Sequence, residues 1–158
     1  MTVPWTIKNS VETVTIDDET CRITEKVEEG EHFVSTWIID VLDKNSVEVS
    51  VVVSDVTSNT FMFYLTSDDG SAYQIFDLTK KGSKGKLISV GAFGPMETAD
   101  AAIELVGEEK FKATVVFELM GEAKQAWFRV QMLQAPDKSS IYVGDATKGM
   151  SISDAEIQ

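Results

Sequence analysis

The chain has one cysteine, one histidine and three prolines in 158 residues. A lone thiol, Cys21, cannot close an intramolecular disulfide and has no partner at metal-ligand spacing, which excludes zinc ribbons and redox pairs. Long apolar runs are missing as well. The start, Met1-Thr2-Val3-Pro4-Trp5, lacks a basic segment followed by an apolar one, and the apolar runs elsewhere are strand length. Neither a signal peptide nor a membrane span is therefore expected, and synthesis and folding are expected in the cytoplasm. Positive charge is scarce: 14 Lys and Arg stand against 26 Asp and Glu, for a formal charge of −12. That balance repels phosphate backbones and anionic bilayers, so no nucleic-acid or membrane partner is expected. With only 10 Gly, 43% hydrophobic and 25% charged residues, collagen-like and broadly disordered classes are excluded too. The length suits one domain, since a chain of roughly 150 residues buries about 68–70% of its unfolded surface.

What is present is alternation. From Asn59 to Leu78, Phe61, Phe63 and Leu65 alternate with Met62, Tyr64 and Thr66 up to the turn Asp68-Asp69-Gly70, which predicts an antiparallel hairpin. Val47, Val49, Val51 and Val53 repeat the period of two. So do Phe111, Ala113, Val115, Phe117 and Leu119, and then Ala126, Phe128, Val130 and Met132, with Gly121-Glu122 read as the turn of a closing hairpin. Val11 to Ile16 and Cys21 to Val27 form a hairpin with one wet side, Cys21, Ile23 and Val27 sharing the dry one. Phe33 to Leu42 reads as one long strand apolar on both faces, hence central or covered. A short strand covers Leu87 to Val90, beyond the basic loop Lys80 to Lys86, and a last one lies around Ile141-Tyr142-Val143. Between Glu97 and Val106, Ala99, Ala102, Ile103 and Val106 fall at helical spacing behind Thr98 as N-cap, which predicts one short helix near 98–106 ended by Gly107.

The fold class expected is therefore all-β: an antiparallel β-sandwich, immunoglobulin-like or jelly-roll-like, of about 8–10 strands with that one helix. A barrel produces the same rhythm of strands and turns. Residues 1–10 read as an N-terminal arm, 11–143 as the single sandwich domain, and 144–158 as a polar C-terminal tail, frayed or ordered by a partner.

Candidates for chemistry are few. His32, the only imidazole, sits beside Glu31 with no Gly-x-Ser-x-Gly motif in the chain, so it reads as structural. Cys21 belongs to an apolar strand face and reads as a small core residue. The pairs Asp17-Asp18 and Asp68-Asp69 have the oxygen chemistry of calcium ligands, but turn formation explains them at lower cost. Asp43-Lys44-Asn45 begins like a calcium loop and fails at Ser54, where a bidentate Glu belongs; Gly82 to Leu87 lacks the spacing of a phosphate-binding loop. Seven acids between Asp17 and Glu31 make either a solvated face or an acidic surface for a partner. No catalytic residue, cofactor or metal is expected. The aromatics leave more room. Trp5 either plugs the core or anchors a neighbour, and Trp127 with Arg129, opposite Phe128 and Val130, makes a sugar platform, an interface anchor or a second packed face.

From Asp55 onward the order of segments resembles the immunoglobulin-like sandwich domains of tailed-bacteriophage virion proteins, notably baseplate upper proteins and related tail or fibre-anchoring modules. The resemblance is carried by Asp55-Val56-Thr57, Thr60 to Leu65 with Asp69-Gly70-Ser71, Gly85 to Val90, the small-residue stretch Thr98 to Ala102, Phe111 to Leu119, and Ala126 to Val130. It spans about 80 residues; the first 50 add strands that the pattern does not supply. The resemblance implies a non-enzymatic structural subunit, made in the host cytoplasm and carried in the virion. Its partners would be copies of itself and other virion proteins, with Trp5, Trp37, Trp127 and Arg129 as contact residues. The rival readings are a carbohydrate-binding module that takes a host glycan through Trp127, and a lipocalin-like ligand-binding barrel with a deep polar-lined pocket.

Overall fold

The computed structural model describes residues 5–36, 38–57, 60–78, 86–135 and 138–158, and among them no helix. The strands are β1 Trp5–Asn9, β2 Val11–Thr15, β3 Thr20–Glu25, β4 Glu29–Gly30, β5 His32–Thr36, β6 Ile39–Asp40, β7 Ser46–Ser54 and β8 Thr60–Ser67. They continue as β9 Ser71–Asp77, β10 Lys86–Phe93, β11 Met96–Gly107, β12 Lys110–Leu119, β13 Gln125–Leu133, β14 Tyr142–Val143 and β15 Gly149–Ile157. The protein is all-β with antiparallel pairing. A first sheet runs β1-β5-β13-β8-β9-β10, with β6 also on β13, and a second runs β11-β12-β7-β15-β3-β2; β14 pairs with β4.

The alternating runs dictate this arrangement because period 2 sends one half of each strand to a common interior. Val47, Val49, Val51 and Val53 from the second sheet and Phe61, Phe63 and Leu65 from the first are all buried in one hydrophobic cluster. Its centre is aromatic. Phe61 stacks on Phe76 at 5.0 Å, and Phe63 meets Phe76 and Phe128 edge-on, each at 5.2 Å between centroids. Trp5 closes one end, 6.0 Å from Phe128.

Both flanks are crossed by continuous chain. Ser10, with φ of 52°, turns β1 at the edge of the first sheet into β2 at the edge of the second. On the opposite flank Gly94, with φ of 68°, turns β10 into β11; a side chain there would run into the backbone of Asp69 and Gly70.

Several segments differ from the sequence expectations. Residues 96–107 are a strand where a helix near 98–106 was expected. The apolar spacing suits a helix, but bulges at Thr98/Asp100 and Leu105/Gly107 adjust the alternation so that Ala101 and Ile103 pack inward against the core. A full-length ladder with β12 outweighs a weak local preference. Thr98 is no N-cap; its hydroxyl donates to the Tyr73 carbonyl at 3.2 Å. The segment expected as a polar tail, 144–158, holds β15, which pairs with β3 on one side and β7 on the other. Its period is masked by a bulge at Ser153/Glu156, where Asp154 has φ of 48°, yet Met150, Ile152 and Ala155 are buried. Residues Trp5–Asn9 of the expected arm form β1.

The expected strand from Phe33 to Leu42 is two strands, both paired with β13, and Ile38 and Leu42 are exposed. Across the break the Phe128 N–H donates to the Thr36 hydroxyl at 3.1 Å, so a side chain replaces the missing ladder partner. Nor do β12 and β13 form a hairpin: they lie in different sheets. The crossing stretch is held by the neighbouring turn. The Asp69 carboxylate accepts from Glu122 N–H at 2.7 Å, and that of Asp68 accepts from Lys124 N–H at 3.0 Å.

Those backbone donors lower the pKa of Asp68 below its ordinary 3.8, the Lys124 amide contributing most. A depressed carboxylate contributes stability that is complete above its ordinary value and is lost as pH falls through the lower folded value. Denaturation followed from neutral to strongly acid pH is expected to show Asp68→Ala less stable than wild type at neutral pH, with the gap closing in that acid window.

Candidate interaction face

The outward face of the first sheet departs from the usual division of an antiparallel sheet into a dry face and a wet one. The register that sends Phe61, Phe63 and Leu65 inward sends Met62 and Tyr64 outward, opposite Gln131 and Arg129 of β13 and Ile75 and Tyr73 of β9. Met62, Ile75 and Leu133 form a second, small buried cluster there, with Tyr64 and Tyr73 packed against it. The two tyrosines stack at 6.2 Å and 16°. A Cβ at Gly91 would overlap the Tyr73 ring, so the glycine makes room for the aromatic to lie flat over β10. The second sheet presents Glu48, Ser50, Lys112, Thr114 and Glu118 at outward positions, with Val52 and Val116 among them, a mainly polar pattern.

Arg129 is the centre of the face. Its guanidinium lies 3.6 Å from the centroid of Phe33 on one side and 5.3 Å from that of Tyr64 on the other. It donates to Glu31 at 3.2 Å and to Gln131 at 3.3 Å, and the Gln131 amide donates to the same Glu31 oxygen at 3.1 Å. The planar cation satisfies both rings and the carboxylate at once, which a lysine cannot do. Burial lowers its pKa below the ordinary guanidinium range while Glu31 opposes the shift.

Trp127 sits half-buried on this face, two residues from Arg129 and opposite Thr66. The structure thus places together two of the residues singled out from sequence. Trp5 is elsewhere, against Phe128 on the inner side, as the core plug. Trp37 lies outside the described residues. Sequence reasoning missed Phe33, Tyr64, Tyr73 and Glu31. The signal was present in β8, where Met62 and Tyr64 occupy the positions that alternation assigns to water.

The other groups singled out from sequence lie away from this face. His32 is fully buried, with Nδ1 2.7 Å from the Ser10 carbonyl, Nε2 3.0 Å from the Tyr142 carbonyl and its ring 4.6 Å from that of Tyr142. Beside it the buried Glu25 accepts from the Tyr142 hydroxyl at 2.6 Å and the Asp145 N–H at 3.0 Å. Burial and that hydrogen bond push the Tyr142 phenol well above its ordinary range. Cys21 lines an open cleft of about 260 Å³ at the Ser10 flank; burial raises its pKa, against the pull of Lys8, which keeps the thiol protonated. Asp17, on the rim, accepts from the Glu19 N–H at 2.9 Å, and this turn bond holds its carboxyl below the usual range. Among the described residues no group of three or more His, Cys, Asp or Glu is placed to hold a metal.

Removing Arg129 leaves Glu31 and Gln131 without their shared donor. Arg129→Ala is expected to cost about 1–3 kcal/mol in chemical denaturation, with Arg129→Lys recovering only part because it restores the charge but not the stack. Equal stability of the three proteins would show that the rings, not the cation, hold the face.

No protein-family model and no curated protein matches the chain, so the reading of this face rests on its own chemistry.

Proposed function

We propose that the chain is a non-enzymatic structural subunit of a bacteriophage-like virion, an immunoglobulin-like β-sandwich that acts by protein–protein assembly through the outward face of its first sheet. One observation carries the reading: this face bears Trp127, Tyr64, Tyr73 and Phe33 around a partly buried Arg129, whereas the second sheet's outward face is mainly polar and has no such aromatic group on β7 or β12. Trp, Tyr and Arg are the side chains that dominate protein interfaces, because they bury large areas and lose little side-chain freedom. The virion setting is supported by the resemblance of the segments after Asp55. Thr60 to Leu65, the turn at Asp69-Gly70, Phe111 to Leu119 and Ala126 to Val130 stand as strands and a turn in that order. Two departures qualify it: Thr98 to Ala102 is strand, and the last two segments lie in different sheets.

The partner is another structural protein of the same particle. A glycan-binding module would use the same aromatics, so the two readings separate by ligand. A lipocalin-like barrel is less well supported, since Phe61, Phe63, Phe76, Phe117 and Phe128 fill the space between the sheets.

Co-expression with the products of neighbouring genes, followed by light scattering after size exclusion, is expected to give a complex of defined mass. Trp127→Ala should weaken it by about 2 kcal/mol or more without altering the melting temperature. A chain that stays alone with every neighbour, and binds a glycan that Trp127→Ala abolishes, would replace this reading with the carbohydrate-binding one.

A further inference from the structure

The second sheet ends on its longest strand. β11 spans 12 residues, and among the described residues its ladder partner is β12 alone. An open strand edge is a row of unpaired N–H and C=O groups, and proteins usually blunt it with lysine, proline or brevity. None of these is present between Met96 and Gly107. A bulge at Thr98/Asp100, where the Asp100 carboxylate accepts from the Ala101 N–H at 2.9 Å, spoils the N-terminal part. Beyond it Ala101 to Leu105 pairs regularly with β12, and Leu105 and Val106 are each 49% exposed. This stretch is extended and, apart from Glu104, apolar, and beyond the Ala101 N–H it has no second ladder partner among the described residues.

Charge decides what can pair with it. In a two-fold antiparallel pairing of two copies, the residues directly opposite each other lie on the same face, and like charges directly opposite are unfavourable. A register centred on Ala102 sets Asp100 against Glu104 at two symmetric places. One centred on Glu104 sets that residue against itself. A register centred on Ile103 sets Ala102 against Glu104, Ala101 against Leu105 and Asp100 against Val106, so no acid faces an acid. Registers centred on Ala101 or Leu105 avoid facing acids as well, but only the one centred on Ile103 pairs the regular stretch Ala101 to Leu105 wholly with itself. We infer that β11 is a homodimerisation edge at which a second copy of this chain pairs antiparallel about Ile103, joining the two six-stranded sheets into one.

The inference deepens the assembly reading, on which it rests for the meeting of copies, and it uses the opposite sheet from Trp127. Each copy carries a formal charge of −12, so pairing is weakened at low salt and is measured best near physiological ionic strength, where the Debye length is about 8 Å.

Ala102 is exposed, so charge can be placed there without disturbing the core. Ala102→Glu puts an acid opposite Glu104 twice, and Ala102→Lys puts a base there twice. With two cross-strand pairs changed per dimer, sedimentation equilibrium is expected to show Ala102→Lys dimerising about tenfold more tightly than wild type and Ala102→Glu about tenfold more weakly. Equal melting temperatures at concentrations where all three are monomeric would confirm intact folds. Monomers throughout, one dimerisation constant shared by all three, or the reverse order would overturn the inference. A heterologous complex that Trp127→Ala leaves unweakened, with this order of dimerisation preserved, would remove the face reading alone.

Discussion

Everything in this molecule depends on β13 having both of its faces occupied. A strand offers opposite sides at alternate residues, and in the middle of a sheet neither neighbour nor register can be changed without moving both sets. Phe128, Val130 and Met132 fill the interior between the sheets, while Trp127, Arg129 and Gln131 organise the outer face. The stack of Arg129 on Phe33 therefore exists only because Phe128 is seated against Phe63, one residue away and on the other side. A slip by one residue would bury the guanidinium among phenylalanines, where an ion without water or partner costs several kcal/mol. The core sets the register, and the register builds the face.

The buried polar groups show how the ends of this frame are tied. His32 enters the interior on β5, opposite Met132, and both of its nitrogens meet backbone carbonyls, one from the Ser10 corner and one from β14. Glu25, at the end of β3, reaches the same place from the second sheet through the Tyr142 hydroxyl. Four segments thus converge on one hydrogen-bonded knot. Gly144 completes it, since a Cβ there would lie 2.6 Å from the imidazole. A group so fully engaged makes a poor catalyst and a good strut, because a histidine in service as a base needs a lone pair aimed at substrate.

How much of this was legible follows from where the alternation is clean. β7, β8, β12 and the inward half of β13 read directly, because valines and phenylalanines at every second position leave one orientation open. The Asp17 turn reads as expected, its carboxylate accepting from the Glu19 amide two residues on, whereas Asp68 and Asp69 stand in a turn but aim their carboxylates at a distant segment. The failures share one cause. In β11 and β15 a bulge shifts the period midway, so that local sequence resembles a helix in one and a tail in the other. Bulges answer to the partner strand, which no local window contains. Sheet membership was equally invisible. Gly121-Glu122 looks like a hairpin turn, yet the chain crosses there, held by Asp68 and Asp69 from more than fifty residues away. The outer face was half legible: Trp127 and Arg129 stood out by type, but Phe33 and Tyr64 became partners of Arg129 only through pairing in space.

The distribution of charge bears on how an apolar face and an open edge can coexist in one chain. Net charge of one sign holds copies apart at long range, and only contacts that avoid like charges at short range overcome it. On the outer face the Arg129 cation is already matched by Glu31, so the ground around it offered to a partner is aromatic. On β11 the acids Asp100 and Glu104 stand on either side of Ile103, which rejects the registers centred on Asp100, Ala102 and Glu104 and permits the one centred on Ile103. The acidity thus acts as a filter on protein partners: it discourages contact in general and permits it where the sequence has spaced its carboxylates apart.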